Sequence, residues 1–251
     1  GVVDLGMVTR SRVLNVVIAV AGLILCAPLM LLIAILVKLS SPGPVIYTQT
    51  RVGIDRRTRR GTAADSRRVV DYGGRLFRIY KFRTMRSDPA STLQVWANAN
   101  DSRVTRIGRV LRSYRLDELP QLWNVLKGDM NVVGPRPEQP NIFLTLDQQI
   151  SGYSMRQRVL PGITGWAQIN HSYDMTLEDV KSKVRYDLEY LQRQSVAEDL
   201  RIMARTIPVM MFAATRSSLP TPKRHTIVNA VAPRQINTIV RKPADLFLYL
   251  R

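Results

Sequence analysis

Residues 112–137 read RSYRLDELPQLWNVLKGDMNVVGPRP, and the rest of the chain is best read outward from them. Two adjacent acids, Asp117 and Glu118, lie between guanidinium-bearing segments: Arg112 and Arg115 upstream, and Arg136 held between Pro135 and Pro137 downstream. The apolar spacing predicts a helix from Leu116 or Asp117 to Leu126, ended by Gly128, with Pro120 acceptable in its first turn. The positive end of such a helix favours ionised carboxylates, and it equally favours a bound phosphate. Acids are common in first turns as simple charge caps. The forked donors around this pair match phosphate oxygens, so the pair also reads as a nucleophile or metal ligand facing a phosphate. An aspartate can attack phosphorus only if the phosphate charge is neutralised. Arginines would do this, as would Mg²⁺, which prefers carboxylate and phosphate oxygens.

Upstream of the pair, Leu76–Arg83 (LFRIYKFR) alternates apolar and basic residues with the period of a half-buried strand. It carries Lys81 and Arg83, two further candidates for holding phosphate. Val45–Gln49 has strand composition and follows a Ser41-Pro42-Gly43-Pro44 turn that cannot continue a helix. Val104–Leu111, Asn141–Ser154, Thr176–Gln194 and Val196–Thr215 have helical spacing. In the last of these, Leu200, Met203, Ala204, Ile207 and Met211 oppose Arg201 and Arg205. That helix would serve in the core, in the lipid interface or against a second subunit of a homo-oligomer. Arg56–Gly74 is polar and reads as an exposed insertion.

Val13–Val37 is a run of 25 residues with no charge and one amide, Asn15. As a helix it would extend roughly 37 Å, against a hydrocarbon core of about 30 Å. The run is longer than a signal-peptide core, and Lys38-Leu39-Ser40-Ser41-Pro42 is a poor cleavage site. Pro28, near its middle, predicts a helix break or kink. Arg10 and Arg12 precede the run, and Lys38, Arg51, Arg56 and Arg57 follow it. Positive charge on both flanks favours both ends on one side of the membrane. Proline is nevertheless tolerated in true spans, so a re-entrant hairpin and a tilted span both stand on these residues alone.

The chain carries a formal charge of +18, with 37 lysines and arginines against 19 acids. Half of that excess falls between Arg51 and Arg86, where twelve basic residues meet three acids. Such a balance implies an anionic partner. Nucleic acid is disfavoured, because the basic stretches lack the interleaved aromatics that stack on bases. A membrane-anchored basic module binding acidic lipid or nucleic acid is the alternative reading, but it leaves the acid pair unexplained. The single cysteine, Cys26, excludes an intrachain disulfide, and two histidines make a histidine-built metal site improbable.

Taken in order, several motifs resemble the bacterial sugar transferases, the monotopic phosphoglycosyl transferases. They are the proline-interrupted apolar segment, SPGPVIYTQTRVG, FRIYKFRTM, the 112–137 stretch, PGITGWAQIN and YDLEYL, spanning about Arg12 to Thr206. The resemblance implies transfer of a sugar phosphate from a UDP-sugar to polyprenyl (undecaprenyl) phosphate, with release of UMP, as the opening step of exopolysaccharide, O-antigen or glycoconjugate synthesis. It implies Asp117 as the nucleophile that becomes covalently phosphoglycosylated, Glu118 as its partner, and Mg²⁺ held near Asp117. Lys81, Arg112 and Arg136 match basic positions of the motifs and would hold phosphates. It also implies a re-entrant helix broken at Pro28 in the bacterial inner membrane, with a cytoplasmic catalytic domain. Ala27 and Leu160 depart from the pattern, standing where some members have serine and a basic residue.

The expected architecture is therefore α+β and mostly helical. A proline-kinked re-entrant membrane helix over 1–41 leads into a small globular catalytic domain over 42–215 with amphipathic interfacial helices, then a loosely ordered basic tail over 216–251. The chain opens on Gly1 rather than methionine, which leaves room for preceding residues, further membrane spans among them.

Overall fold

The computed structural model describes residues 5–55, 72–86, 101–171 and 176–216. Most of the Arg56–Gly74 insertion and the tail beyond 216 fall outside these residues. Helix α1 spans Leu5–Ser40. Strands β1 (Ile46–Val52) and β2 (Leu76–Phe82) follow, paired antiparallel with Ile46 opposite Phe82 and Val52 opposite Leu76. Helix α2 (Arg106–Ser113), a 3₁₀ turn (Leu116–Glu118) and α3 (Gln121–Lys127) come next. The second half holds β3 (Asn131–Val133), α4 (Pro140–Gln149), a 3₁₀ turn (Tyr153–Arg158), β4 (Gly162–Thr164), α5 (Trp166–Asn170), α6 (Leu177–Arg193) and α7 (Val196–Arg216). Strands β3 and β4 pair in parallel, so the described residues are mostly helical with two small two-stranded sheets.

Two helix boundaries fall close to where the sequence places them, each for a visible reason. Gly128 sits at φ 80° and ψ 19°, a left-handed cap that only glycine adopts without cost, and it stops α3. A reciprocal capping box opens α6: the Thr176 hydroxyl accepts from the Asp179 amide while the Asp179 carboxylate accepts from the Thr176 amide. The expected helix over 141–154 is instead α4 followed by a separate 3₁₀ turn. Gly152, at φ 76°, turns the chain between them.

Helix α1 runs through Pro28 as one assigned helix of 36 residues. Its apolar part is not a free rod. Near its start, Arg12 donates to the Val125 and Leu126 carbonyls at the end of α3 (2.6 and 2.8 Å), and the Asn15 side-chain oxygen accepts from the Val132 amide (2.5 Å). Ala19 is buried with Phe77, Ile79, Val125 and Met130. Near its end, Ile33 and Val37 are buried with Phe82 and Leu111. The opposite face, including Val13, Val17, Ile24, Leu25, Leu32 and Ile35, is exposed. One stripe of α1 thus rests on the globular domain at both ends of the apolar run, and the other stripe is open. Burying a side chain such as Ile33 or Val37 in this seam stabilises it by about 1.5–3 kcal/mol.

Helix α7 corrects part of the expectation. Ile202, fully buried with Val133 and Tyr190, faces the core, together with buried Asp199. Leu200 and Ile207, assigned to the apolar face from sequence, are exposed. The apolar stripe over Leu200, Ala204 and Ile207 therefore does not serve the core.

Candidate active site

The acid pair sits on the 3₁₀ turn Leu116–Glu118 rather than in the first turn of a continuous helix. The cause is Arg115, at φ 53° and ψ 22°, the one non-glycine residue with positive φ among those described. A left-handed residue there breaks α2 from α3, at a cost of order 1–3 kcal/mol. Pro120 then starts α3 as its N-cap. Both acids are buried, at 8% exposure for Asp117 and 6% for Glu118, yet their surroundings differ.

Glu118 is tied down through one oxygen. Its Oε1 accepts from Lys81 Nζ at 2.9 Å and from Arg136 at 2.8 Å, and Arg115 stands 4.0 Å from its Oε2. Burial alone would raise its pKa. The cations, Arg136 foremost and then Lys81 and Arg115, outweigh burial and hold it well below the ordinary carboxylate range. Asp117, one residue earlier, is in the opposite condition. Among the described residues no donor hydrogen-bonds to its carboxylate, and no cation lies within ion-pair distance. Burial, and then the neighbouring Glu118 charge, push its pKa up, while Lys81, Arg112 and Arg136 act on it only through space. One acid organises the cations; the other is left with open oxygens facing them.

The cations arrive from four places. Lys81 is on β2, and burial lowers its pKa against the pull of Glu118. Its strand is fixed by Asn124 of α3, fully buried, whose side chain accepts from the Tyr80 amide (3.1 Å) and donates to the Arg78 carbonyl (2.7 Å). Arg112, at the end of α2, donates from Nε to the Thr84 hydroxyl at 2.8 Å. That contact depends on Gly108, where a Cβ would lie 2.0 Å from the Thr84 carbonyl oxygen, so only glycine lets α2 approach so closely. Arg136 follows β3, its carbonyl held by Arg156 at 3.1 Å. Its other terminal nitrogen donates to the Gln168 side-chain oxygen (3.3 Å), which also accepts from Arg115 at 3.4 Å. Four cations against two acids leave the cluster with a net positive charge, suited to an anion carrying about two negative charges.

Of the residues singled out from sequence, the structure brings together Asp117, Glu118, Lys81, Arg112 and Arg136. Arg83 is not among them. It is 5% exposed, and its guanidinium donates to the Ser41 carbonyl at 2.7 Å, to the Pro42 carbonyl and, at 3.4 Å, to the Val37 carbonyl. It closes the C-terminal end of α1, the favoured place for a cation at a helix terminus. The sequence reading named Arg115 only as a flanking guanidinium, and it missed Asn124 and Gln168. Asn124 carries a usable signal: it is a polar residue on the same α3 face as buried Gln121 and Val125.

Metal binding at the pair is possible only in one form. Among the described residues no group of three or more acids, histidines or cysteines could hold a metal ion. Mg²⁺ needs less than that, since it keeps several waters and is often held by one or two carboxylates plus substrate phosphates. The open Asp117 carboxylate fits that pattern; Glu118, with Oε1 already shared by two cations, does not.

Comparison with known proteins is consistent with this geometry. The profile of the bacterial sugar transferases matches residues 7–213. A relative from Aeromonas hydrophila, named UDP-N-acetylgalactosamine-undecaprenyl-phosphate N-acetylgalactosaminephosphotransferase, is 41% identical over 201 residues, covering 80% of this chain and 43% of its own length. One from Escherichia coli (strain K12), named UDP-glucose:undecaprenyl-phosphate glucose-1-phosphate transferase, is 41% identical over 199 residues, covering 78% and 39%. A relative of the same name from Caulobacter vibrioides is 40% identical over 206 residues, covering 80% and 70%. The chain spans about two fifths of the length of the first two of these.

Proposed function

Because the chain belongs to the bacterial sugar transferase family, we propose that it transfers a sugar 1-phosphate from a UDP-sugar to undecaprenyl phosphate through a covalent intermediate on Asp117. The observation that carries this reading is the division within the acid pair. Glu118 is tied to Lys81 and Arg136, whereas the Asp117 carboxylate beside them has no hydrogen-bond donor among the described residues. A nucleophile needs free lone pairs and a neutralised target, and this arrangement offers both.

An Asp117 oxygen attacks the phosphorus that bears the sugar, and the bond from that phosphorus to the UMP phosphate oxygen breaks. UMP leaves with the electron pair. An oxygen of undecaprenyl phosphate then attacks the same phosphorus, the bond to Asp117 breaks, and the carboxylate is regenerated with polyprenyl diphosphate sugar as product. Arg112, Arg136 and Lys81 hold and neutralise the diphosphate. Glu118 positions Lys81 and Arg136 rather than touching phosphorus. Mg²⁺, held by Asp117 and the substrate phosphates, would supply further neutralisation. The raised pKa of Asp117 makes it a more basic, better attacking group once ionised, and requires a pH above that pKa.

The seam along α1 supports a reading of its membrane placement. Arg12 and Val37 are 25 residues apart, about 37 Å along a helix, and both ends of that stretch rest on one domain. A domain lying beside a helix over that length would be drawn into the hydrocarbon if the helix crossed a bilayer of about 30 Å. This supports a helix that enters and leaves one leaflet, with the exposed stripe in lipid and the domain on the cytoplasmic face. The exposed Leu200 and Ile207 of α7 would meet the same interface.

The test is UMP release from UDP-sugars by the full chain in membranes or nanodiscs. The reading requires release that depends on Mg²⁺ and is abolished by Asp117→Asn. Undiminished release from that variant removes Asp117 as nucleophile.

A further inference from the structure

A semi-enclosed cavity of about 40 Å³ shares two wall residues, Arg136 and Gln168, with the cluster around the acid pair. Besides Arg136, its polar walls are Glu138 after β3, Arg156 from the 3₁₀ turn after α4, Gln168 from α5, and Lys183 and Asp187 from α6; Val184 contributes apolar surface. At roughly 10–15 Å³ of such volume per water, it has room for about three waters.

The polar atoms around it are unusual in what they lack. Gln168 spends its side-chain oxygen on Arg136 and Arg115, leaving Nε2 buried and without a hydrogen-bond acceptor among the described residues. Arg156 Nε is in the same condition, although its terminal nitrogens are bound to Tyr153, to the Arg136 carbonyl and to Asp187. Asp187, 2% exposed and 2.7 Å from Arg156, adds a carboxylate whose remaining lone pairs can accept. Buried donors without partners cost about 1–3 kcal/mol each, so orphans gathered on one cavity call for a group that satisfies them.

We propose that this cavity receives a hydroxyl-bearing edge of the donor's hexose and sets which sugar is transferred; this deepens, and rests on, the reading of the site as a UDP-sugar phosphotransferase. The chemistry of the occupant follows from the walls. A hydroxyl both donates and accepts, so it suits a wall that combines the Gln168 amide, the Arg156 guanidinium and the Glu138 and Asp187 carboxylates. A phosphate only accepts and would face the Asp187 carboxylate. A nucleobase ring is too large for about three waters' worth of room, and a purely apolar group would leave the donors unpaired. Placement agrees as well. The hexose is bonded directly to the phosphoryl group that Asp117 attacks, and Arg136 belongs both to the cluster around the acid pair and to the cavity wall.

The experiment measures kcat/KM for UMP release from UDP-glucose, UDP-galactose and their 2-acetamido counterparts, using the full chain in nanodiscs. Wild type is compared with Gln168→Met, Lys183→Met and Val184→Ile, and thermal unfolding confirms that each variant is folded. The proposal expects the ratio of kcat/KM between sugars to change at least tenfold in one or more folded variants, with the inhibition constant of UMP changed less than threefold. A common fall for every sugar, or unchanged ratios, overturns it. So does a changed UMP inhibition constant with constant sugar ratios, which would assign the cavity to the nucleotide. No UMP from any donor with wild type removes the underlying transferase reading, and the cavity assignment with it.

Discussion

Replacing Glu118 by glutamine removes one charge and almost no volume, and it tests the claim that this residue organises the cations. In the native protein Glu118 Oε1 is shared by Lys81 at 2.9 Å and Arg136 at 2.8 Å. A hydrogen bond with a charged partner on both sides contributes about 1.5–3 kcal/mol, and one to a neutral acceptor about 0.5–1.5 kcal/mol. Each contact therefore weakens by about 1 kcal/mol. The Arg136 side chain is 41% exposed, so solvent screening reduces its share. The summed loss is about 1.5–2 kcal/mol, or roughly 3–8 °C in Tm for a chain of this size. Glu118 has a folded pKa held below the ordinary value, so its stabilisation is fully present above about pH 4.5 and is lost as pH falls through the depressed value. The Tm difference between wild type and variant should accordingly be full at pH 7 and shrink in acid.

The same substitution acts on Asp117. The Glu118 charge is the second cause, after burial, that raises the Asp117 pKa. Without that charge, Lys81, Arg112 and Arg136 pull on Asp117 less opposed, and its pKa falls. The acid limb of kcat/KM for UMP release should move to lower pH in Glu118→Gln, even as activity at neutral pH drops because Lys81 and Arg136 are less firmly placed. Paired measurements of Tm and the pH profile decide the matter. An unchanged or higher Tm at pH 7, together with an acid limb that stays put or moves up, would refute the assigned role.

Other expectations follow from particular contacts. Arg83→Met leaves the carbonyls at the end of α1 without their buried donor. It should lower Tm by several degrees, with the KM for the UDP-sugar changed less than twofold, because Arg83 lies away from the acid pair; a KM rise of tenfold or more would return it to the phosphate site. Asp117→Asn removes a buried carboxylate whose pKa is raised, so the variant should unfold at the same temperature as wild type or higher while losing UMP release; a large drop in Tm would contradict this. Asp199, buried in the first turn of α7, accepts from the Tyr190 hydroxyl at 2.6 Å, and burial pushes its pKa up to about 6. A raised carboxyl pKa costs stability as pH rises from the unfolded value through the folded one. Asp199→Asn should therefore stabilise the protein at pH 7, by about 1–3 kcal/mol, and by little at pH 4; equal effects at both pH values would exclude the titration.

What the sequence discloses here depends on how local each feature is. Helix α6, with its Thr176 cap, and the stop at Gly128 are local chemistry, and both stand where the residues place them. Strand β1 runs three residues past its expected end, and β2 matches its expected span to within one residue. The turn bearing the acids was read as a helix start, because a left-handed arginine at 115 has no signature in residue type. Arg83 and Lys81 look alike within one alternating strand. Only the return of the chain from α1, some 40 residues earlier, separates a helix-end cap from a lysine paired with Glu118. In α7 the apolar stripe is visible, but of its described members the core takes Met203, beside Ile202 and Asp199, and leaves Leu200 and Ile207 exposed. Gln168 was hidden for a similar reason: it joins Arg115 and Arg136, 53 and 32 residues away, and no pattern in PGITGWAQIN announces two guanidinium partners.

The account turns most directly on whether Asp117 becomes covalently modified. Wild-type protein in nanodiscs, incubated with Mg²⁺ and a UDP-sugar labelled in the sugar-bearing phosphate, with the lipid acceptor withheld, should retain label in near-stoichiometric amount. Peptide mapping should place it on Asp117, and adding undecaprenyl phosphate should chase it into lipid. Label that fails to appear, that maps to another residue, or that persists in Asp117→Asn would contradict the account.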